Sequence, residues 1–399
     1  MMTVGQISPD RCCGCAACMD KCPVKAISMH YDGDFNRVPL VDDGLCISCG
    51  QCVKLCPNID EITREQEDNY SVYLGSYKNK RIEKSSSSGG IFAALALHVL
   101  NQNGVVYGAT IKYDDDTLSC HHIRITDANE LSQLQGSKYI QSRTDGIFRK
   151  VKDDLKDGKI VLFSGTSCQV ASLKRFVGSN DNLYTVDLVC HGVPKEKLFN
   201  DYINYYEIKH GCKVVNVSFR AKGIFFHGKE TKHVLTLTCE KNGKRFNTIL
   251  VEAQSSYYRM FMSRAGYRSS CYHCRYATVD KPADITLGDY TLTLKESKKY
   301  NLPSTQNYST IITHNKKGLQ LLAEIESCLT FSEVSSCEVI AKHGNLNHPS
   351  VLTADGIVLY NSYLKGGFSK VQKIVNYWCF KLNVKWLLSG TLKRLRAVI

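Results

Sequence analysis

The chain runs to 399 residues, 43% of them apolar, which is enough for two or three domains around a substantial core. Its nineteen cysteines are not preceded by a secretory leader at Met1–Ile7, so a disulfide-stapled secreted domain is not expected and a reducing cytoplasmic setting is. No run of about eighteen apolar residues is present to span a membrane, and the formal charge of +13 comes with no recognised nucleic-acid motif, so no nucleic-acid partner is expected.

The N-terminal sixty residues repeat one cysteine spacing. The first copy is Cys12-x2-Cys15-x2-Cys18-x3-Cys22-Pro23, and the second is Cys46-x2-Cys49-x2-Cys52-x3-Cys56-Pro57. This is the run that bacterial ferredoxins use for [4Fe–4S] clusters, with the fourth cysteine of each copy crossing to the other cluster. Cys12, Cys15, Cys18 and Cys56 are therefore expected to hold one cluster, and Cys46, Cys49, Cys52 and Cys22 the other. Zinc sites and disulfide knots do not normally repeat such a pattern. Ala26–His30 and Val38–Val41 read as short paired strands, and residues 1–62 as a two-cluster ferredoxin-like domain. The acidic stretch Asp60–Asp68 reads as a linker.

From Val72 strands and helices alternate. A helix over Gly89–Leu100 precedes the strand Val105–Ile111. The strand Lys159–Phe163 feeds the helix Cys168–Phe176, and the strand Leu183–Val189 feeds the helix Lys195–Lys209. Strand, small-residue turn, helix, repeated, argues an α/β domain with parallel pairing over residues 70–211. After Gly211 the segments Val214–Phe219, His233–Cys239 and Arg245–Val251 alternate like antiparallel strands, with Lys241–Lys244 as a hairpin turn. Residues 212–345 thus read as a β-rich part that closes with the helix Lys317–Cys328. The whole is α/β at its centre and α+β overall.

Residues 346–399 form a basic amphipathic tail. Lys370, Lys373, Lys381, Lys385, Lys393, Arg394 and Arg396 occur after residue 369 without a single acid, and both tryptophans, Trp378 and Trp386, lie among them. Such a tail either lies on an anionic membrane face or packs on the protein's own core.

Several loops carry residues suited to chemistry. Ser85–Gly90 opens a helix, where hydroxyls and free N–H groups bind phosphate or simply cap. Gly165-Thr166-Ser167-Cys168-Gln169 sits where a strand passes into a helix, the usual ligand position of an α/β sheet. Cys168 there, Cys190 in the next such turn, and Cys271-x2-Cys274 can enclose a third [4Fe–4S] cluster. The alternative is that Cys168 and Cys190 pack as small hydrophobes beside a zinc or dithiol pair. Cys13, Cys120, Cys212, Cys239, Cys328, Cys337 and Cys379 read as packing.

Taken in order, Ser87-Ser88-Gly89-Gly90, Gly136-Ser137-Lys138-Tyr139, Gly165–Gln169, Cys190-His191-Gly192-Val193-Pro194, Cys271-x2-Cys274 and Asp284–Asp289 resemble the beta subunit of the coenzyme F-420 (deazaflavin) reducing hydrogenases and dehydrogenases. The resemblance covers roughly residues 70–345, and with the ferredoxin module in front the chain is similar to bacterial members associated with surface polysaccharides. It implies FAD in the α/β domain, held by Ser87, Ser88, Gly89, Gly90, Gly136, Ser137, Lys138, Tyr139, Gly165 and Thr166. It also implies a third cluster on Cys168, Cys190, Cys271 and Cys274, with Lys138 as a charge near the flavin and His191 as a proton donor. Two segments, Phe219–Phe225 and Gly288–Thr291, lack the tryptophans that family members often carry. That departure bears on the deazaflavin coenzyme rather than on flavin or clusters.

The expected activity is an iron–sulfur flavoprotein oxidoreductase. Ferredoxin or a similar low-potential carrier would supply electrons, and a small-molecule or sugar-linked substrate, or the deazaflavin, would take them. The alternatives are an electron-transfer subunit serving a partner enzyme, and a non-redox membrane-associated binding module.

Overall fold

The two cysteine repeats fold alike because their spacing is alike. The computed structural model describes residues 3–59, 70–114, 117–304 and 307–396, so the Asp60–Asp68 linker lies outside the described residues. Short helices Ala17–Lys21 and Gln51–Leu55 stand 34 residues apart, the offset between Cys12 and Cys46. Each is entered through two left-handed residues, Gly14 and Ala16 in one copy, Ser48 and Gly50 in the other. Those turns bend the chain sharply between successive cysteines of each copy. Strands Ile27–Tyr31 and Arg37–Val41 pair antiparallel beside them, as expected.

The body is built on a nine-stranded mixed sheet. Val105–Asp114, Val161–Ser164, Leu183–Leu188 and Ile285–Tyr290 form its parallel centre. Val161, Leu162 and Phe163 are wholly buried, the apolar run required of a strand covered on both faces. Antiparallel strands flank this centre. Tyr308–Thr313, Ser71–Tyr77 and Leu329–Glu333 extend one side; Thr117–Ile125 extends the other, with Ser142–Arg143 parallel at the far edge. The sheet is therefore less uniformly parallel than the sequence pattern suggests.

The expected boundary near residue 211 does not coincide with an edge of this sheet, because the three strands between 285 and 333 return to it. What lies beyond 211 is an excursion, the small sheet of Lys213–Phe219, Val234–Lys241 and Lys244–Val251. Its hairpin turns on Asn242 and Gly243, both left-handed, as a two-residue loop demands.

The ferredoxin module is sewn to the body by polar contacts. Helix Ser167–Val177 runs beneath it, with the Ser172 hydroxyl donating to Cys15 Sγ at 3.1 Å and Arg175 donating to the Cys56 carbonyl at 2.9 Å. Thr144 donates to the Cys15 carbonyl at 2.7 Å, and Arg37 pairs with Asp145 at 2.6 Å.

The C-terminal segment Ala354–Arg396 is helical with a break at Gly366–Gly367, where Gly367 is left-handed. Leu359, Tyr363, Phe368, Val371 and Val375 are buried against the body, whereas Phe380, Trp386, Leu387 and Leu388 are exposed. The first part of the tail, through Trp378, thus packs on the core, and the apolar side chains from Phe380 to Leu388 are largely exposed.

Candidate functional site

Three groups of cysteines lie in series. In the inner group, Cys18 feels the fields of Cys15, Cys12 and Cys56, and burial together with those sulfurs pushes its thiol well up. Burial and the same neighbours push Cys56 to about 12. Cys56 thus lies near the cysteines of the first copy, as a ligand set of Cys12, Cys15, Cys18 and Cys56 would require. Cys46, Cys49 and Cys52 lie in the second copy and with Cys22 make up the other expected set, called the outer one below. Cys49 is exposed, and Leu45 and Ile47 beside it stand free in solvent.

The third group forms at the N-terminus of helix Ser167–Val177, next to the inner one, with Cys13 touching both Cys15 and Cys168. Cys168 lies in the first turn of that helix, Cys190 just after strand Leu183–Leu188, Cys271 in the short helix Ser269–Tyr272, and Cys274 two residues beyond it. All four line one cavity. Cys271 feels Cys190, Cys168 and Cys274, and burial above all pushes it up; Cys190 is pushed to about 12. Backbone N–H groups point at the sulfurs, from Gly192 to Cys190 and from Val193 to Cys271, both at 3.4 Å. Gly192 is left-handed, and a Cβ there would meet Tyr267 at 2.5 Å, so only glycine lets this loop close. Among the described residues no three His, Cys, Asp or Glu side chains gather tightly enough for a single metal ion.

Cys13 does not simply pack, as its lack of a spacing suggests. Its thiol hydrogen-bonds Cys15 and Cys168, which pushes Cys13 well up and draws Cys15 down to about 7. Cys328 and Cys337 are exposed rather than packed. None of these positions has a spacing that would reveal its surroundings.

The shared cavity measures about 1250 Å³, above the ~300–1,000 Å³ usual for one small ligand. Ser87, Ser88, Gly90, Gly136, Ser137, Lys138, Tyr139, Gly165 and Thr166 line it with the third cysteine group. Two motifs meet directly, since Ser137 Oγ donates to Ser87 Oγ at 2.8 Å. Gly90 N-caps helix Ile91–Asn101 in a left-handed conformation and turns the helix N-terminus to the cavity. Gly89 does not line it. Its N–H bonds Ser309 Oγ, and a Cβ would come within 2.3 Å of the Gly75 carbonyl, so it serves close packing of the sheet.

Lys138 also does more for the fold than its motif suggests. Its ammonium donates to the carbonyls of Leu134 at 2.9 Å and Gln135 at 2.7 Å, closing the end of helix Leu131–Leu134. Burial draws it down to about 8. His191 opens onto the cavity, where desolvation and then Arg264 hold its imidazolium down.

Sequence reasoning missed what ties these motifs together. Arg220, left-handed and almost wholly buried, pairs with Asp289 and reaches Tyr139 Oη at 3.5 Å. Lys222 donates to Glu83 Oε1 at 2.7 Å and to the Ser88 carbonyl at 3.1 Å. The Arg220-Ala221-Lys222-Gly223 segment stands out in the sequence only for the tryptophan it lacks, yet it joins three cavity-lining loops. His122 gives no signal in the sequence either. It stacks on Phe163, bonds Ser142 Oγ at 2.7 Å and is drawn down to about 4 by burial, so it stays neutral.

A fold with three cysteine groups leading to one cavity defines an iron–sulfur protein of the oxidoreductase class. The chain belongs to the family of coenzyme F420 hydrogenase/dehydrogenase beta subunits: the N-terminal family model matches residues 72–147 and the C-terminal one residues 158–336. A 4Fe-4S dicluster domain matches residues 11–62. Similar proteins include an uncharacterised protein of Methanocaldococcus jannaschii, 20% identical over 84% of this chain and 92% of its own length. One of the subunits of the F420H2 dehydrogenase of Methanosarcina mazei is 21% identical over 46% of this chain and 54% of its own. A chain of the F420-reducing [NiFe] hydrogenase complex from Methanosarcina barkeri superposes with a TM-score of 0.45 at 13% identity, covering 74% of this chain and 93% of that one.

Proposed function

We propose that the protein is an iron–sulfur flavoprotein that takes single electrons from a ferredoxin-like carrier and delivers pairs to an organic substrate. The observation that carries this reading is the serial placement of the cysteine groups. The outer group is open to a donor, the inner one is enclosed, and the third shares its cavity with the Ser87–Gly90 and Gly136–Tyr139 segments. Cys12, Cys15, Cys18 and Cys56, then Cys46, Cys49, Cys52 and Cys22, and finally Cys168, Cys190, Cys271 and Cys274 are the proposed ligands of three [4Fe–4S] clusters.

The cavity suits FAD on its own chemistry. The N-terminus of helix Ile91–Asn101 faces the cavity beside Ser87 and Ser88 with no side chain capping it, a site for a diphosphate. Bound there, a flavin supplies exchange of one electron with clusters and two with a substrate. The chain's part is to hold and shield. Arg220 and Lys222 clamp the loops over the cavity, Lys138 fixes the turn into Tyr139, and neutral His191 is placed to hold a proton near the substrate. A second reading, a subunit handing electrons to a partner enzyme, is favoured by the relative that is part of a dehydrogenase.

The substrate class proposed is a sugar nucleotide or lipid-linked sugar met at a membrane face. The membrane face alone has support in the structure: at hairpin Phe225–Glu230, His227 stacks on Trp386 at 5.0 Å and bonds Asn383, joining exposed Phe225 to the exposed apolar side of the C-terminal helix. Lys381 and Lys385 flank the patch, suiting anionic lipid. Sedimentation with phosphatidylserine vesicles should fall at least about tenfold for Lys381→Glu with Trp386→Glu; unchanged sedimentation would refute the contact.

The relay is tested by counting iron, sulfide and flavin in anaerobically purified protein. About twelve irons and one FAD per chain are expected. About eight irons and no flavin, even after reconstitution, would sink the reductase reading.

A further inference from the structure

Arg268 precedes helix Ser269–Tyr272 and is among the most deeply buried side chains, at 1% exposure. Nη1 donates to Gln141 Oε1 at 2.7 Å, and Nη2 donates to the carbonyls of Arg37 at 2.8 Å and Cys12 at 3.0 Å. Nε is buried and has no acceptor. Every acceptor is neutral, and no carboxylate pairs with Arg268 among the described residues. Its neighbours are treated differently: Arg37 has Asp145 and Arg143 has Glu196.

An arginine cannot shed its proton to escape this cost, and a buried ion without a counter-charge is penalised by several kcal/mol. The missing negative charge must therefore come from something the site binds. Arg268 sits against the wall between the inner and third cysteine groups and lines the cavity. Its Nη2 holds the carbonyl of Cys12, from the inner group, and it shares the cavity wall with Cys168, Cys271 and Cys274, from the third. A [4Fe–4S] core held by four thiolates is anionic in both of its redox states and gains one more negative charge on reduction.

We propose that Arg268 is the built-in counter-cation of two iron–sulfur clusters, the inner and the third, and that it raises the reduction potential of both. The inference rests on the reading that both sites carry clusters. One-electron reduction adds a negative charge to a cluster, and a fixed cation beside it stabilises that product more than the oxidised form. The outer site, held by Cys22, Cys46, Cys49 and Cys52, has no such contact with Arg268. The cation thus makes transfer inward from the outer cluster more favourable and serves both inner steps with one charge. Arg268 is a positioning and tuning residue; it touches no substrate.

The test is a redox titration of the anaerobically reconstituted full chain, followed by EPR of the reduced clusters. Arg268→Gln should shift the inner and third clusters to lower potential and leave the outer one in place, while Arg268→Lys should keep them near the wild-type values. Gln141→Glu is the second variant: it keeps an acceptor for Nη1 and neutralises the guanidinium, giving up only the long Nε2 contacts with the Cys13 and Gly14 carbonyls, and its iron content checks assembly. It should produce the same downward shift. Wild-type potentials in both Arg268→Gln and Gln141→Glu would overturn the proposal and leave Arg268 as a tether only. Iron content of the wild type separates this from the relay itself. About eight irons per chain would remove the third cluster and the relay. The shift of the inner cluster would then still decide the claim about Arg268.

Discussion

The two cysteine repeats share a spacing and a backbone, yet the protein uses them differently. Around the first, Ser172, Thr144, Arg268 and Gln141 press in from the body, and the chain there has almost no freedom. Around the second, Cys49, Leu45 and Ile47 face solvent. On the proposed relay, the first copy serves as an internal station and the second as a port, the neighbours rather than the spacing setting the difference.

The largest effect expected from breaking this asymmetry is on assembly. Cys18→Ser should lose about four irons and also loosen the module from the body, because its site is part of the interface. Cys49→Ser should lose a similar amount of iron with the fold intact. Limited proteolysis alongside iron analysis checks both, and equal resistance of the two variants would contradict the assignment of inner and outer.

A backbone comparison comes next. Gly14 is left-handed, and a Cβ would meet Gln141 at 2.6 Å and both Arg268 and the Arg37 carbonyl at 2.8 Å. At the equivalent point of the second repeat, Ser48 already carries a side chain in the same conformation. Gly14→Ala should cost about 2 kcal/mol or more in denaturant unfolding, from overpacking and strain. Ser48→Gly should change stability by less than about 1 kcal/mol. Similar costs for the two would mean the repeats are equally enclosed.

The smallest effect concerns the port. Ile47→Glu should slow reduction by a ferredoxin several-fold by spoiling an apolar contact, and leave reduction by dithionite unchanged. Stopped-flow absorbance at the cluster bands reads both rates.

Much of this was legible in the sequence, for reasons that differ by element. The ferredoxin cysteines were readable because four thiolates on one cubane force a short, local spacing. The Asn242-Gly243 hairpin and the helices after Gly90 and Thr166 were readable because turns and caps are local too. The return of strands Ile285–Tyr290, Tyr308–Thr313 and Leu329–Glu333 to the main sheet was not, since their partners lie as far away as Ser71–Tyr77. The same holds for Arg220 and Arg268, which look like surface cations until distant loops close over them. The tail divides the matter: its charge pattern was plain, but which half is buried depends on the break at Gly366–Gly367.

The most direct test of the series is Cys271→Ser, which would empty the third site and spare the ferredoxin module. Mixed with reduced ferredoxin and followed by stopped-flow absorbance, the FAD-reconstituted variant should still bleach its two N-terminal clusters while reduction of the flavin stops. Flavin reduction at the wild-type rate would show that electrons reach the cavity without the third site, and would contradict the account.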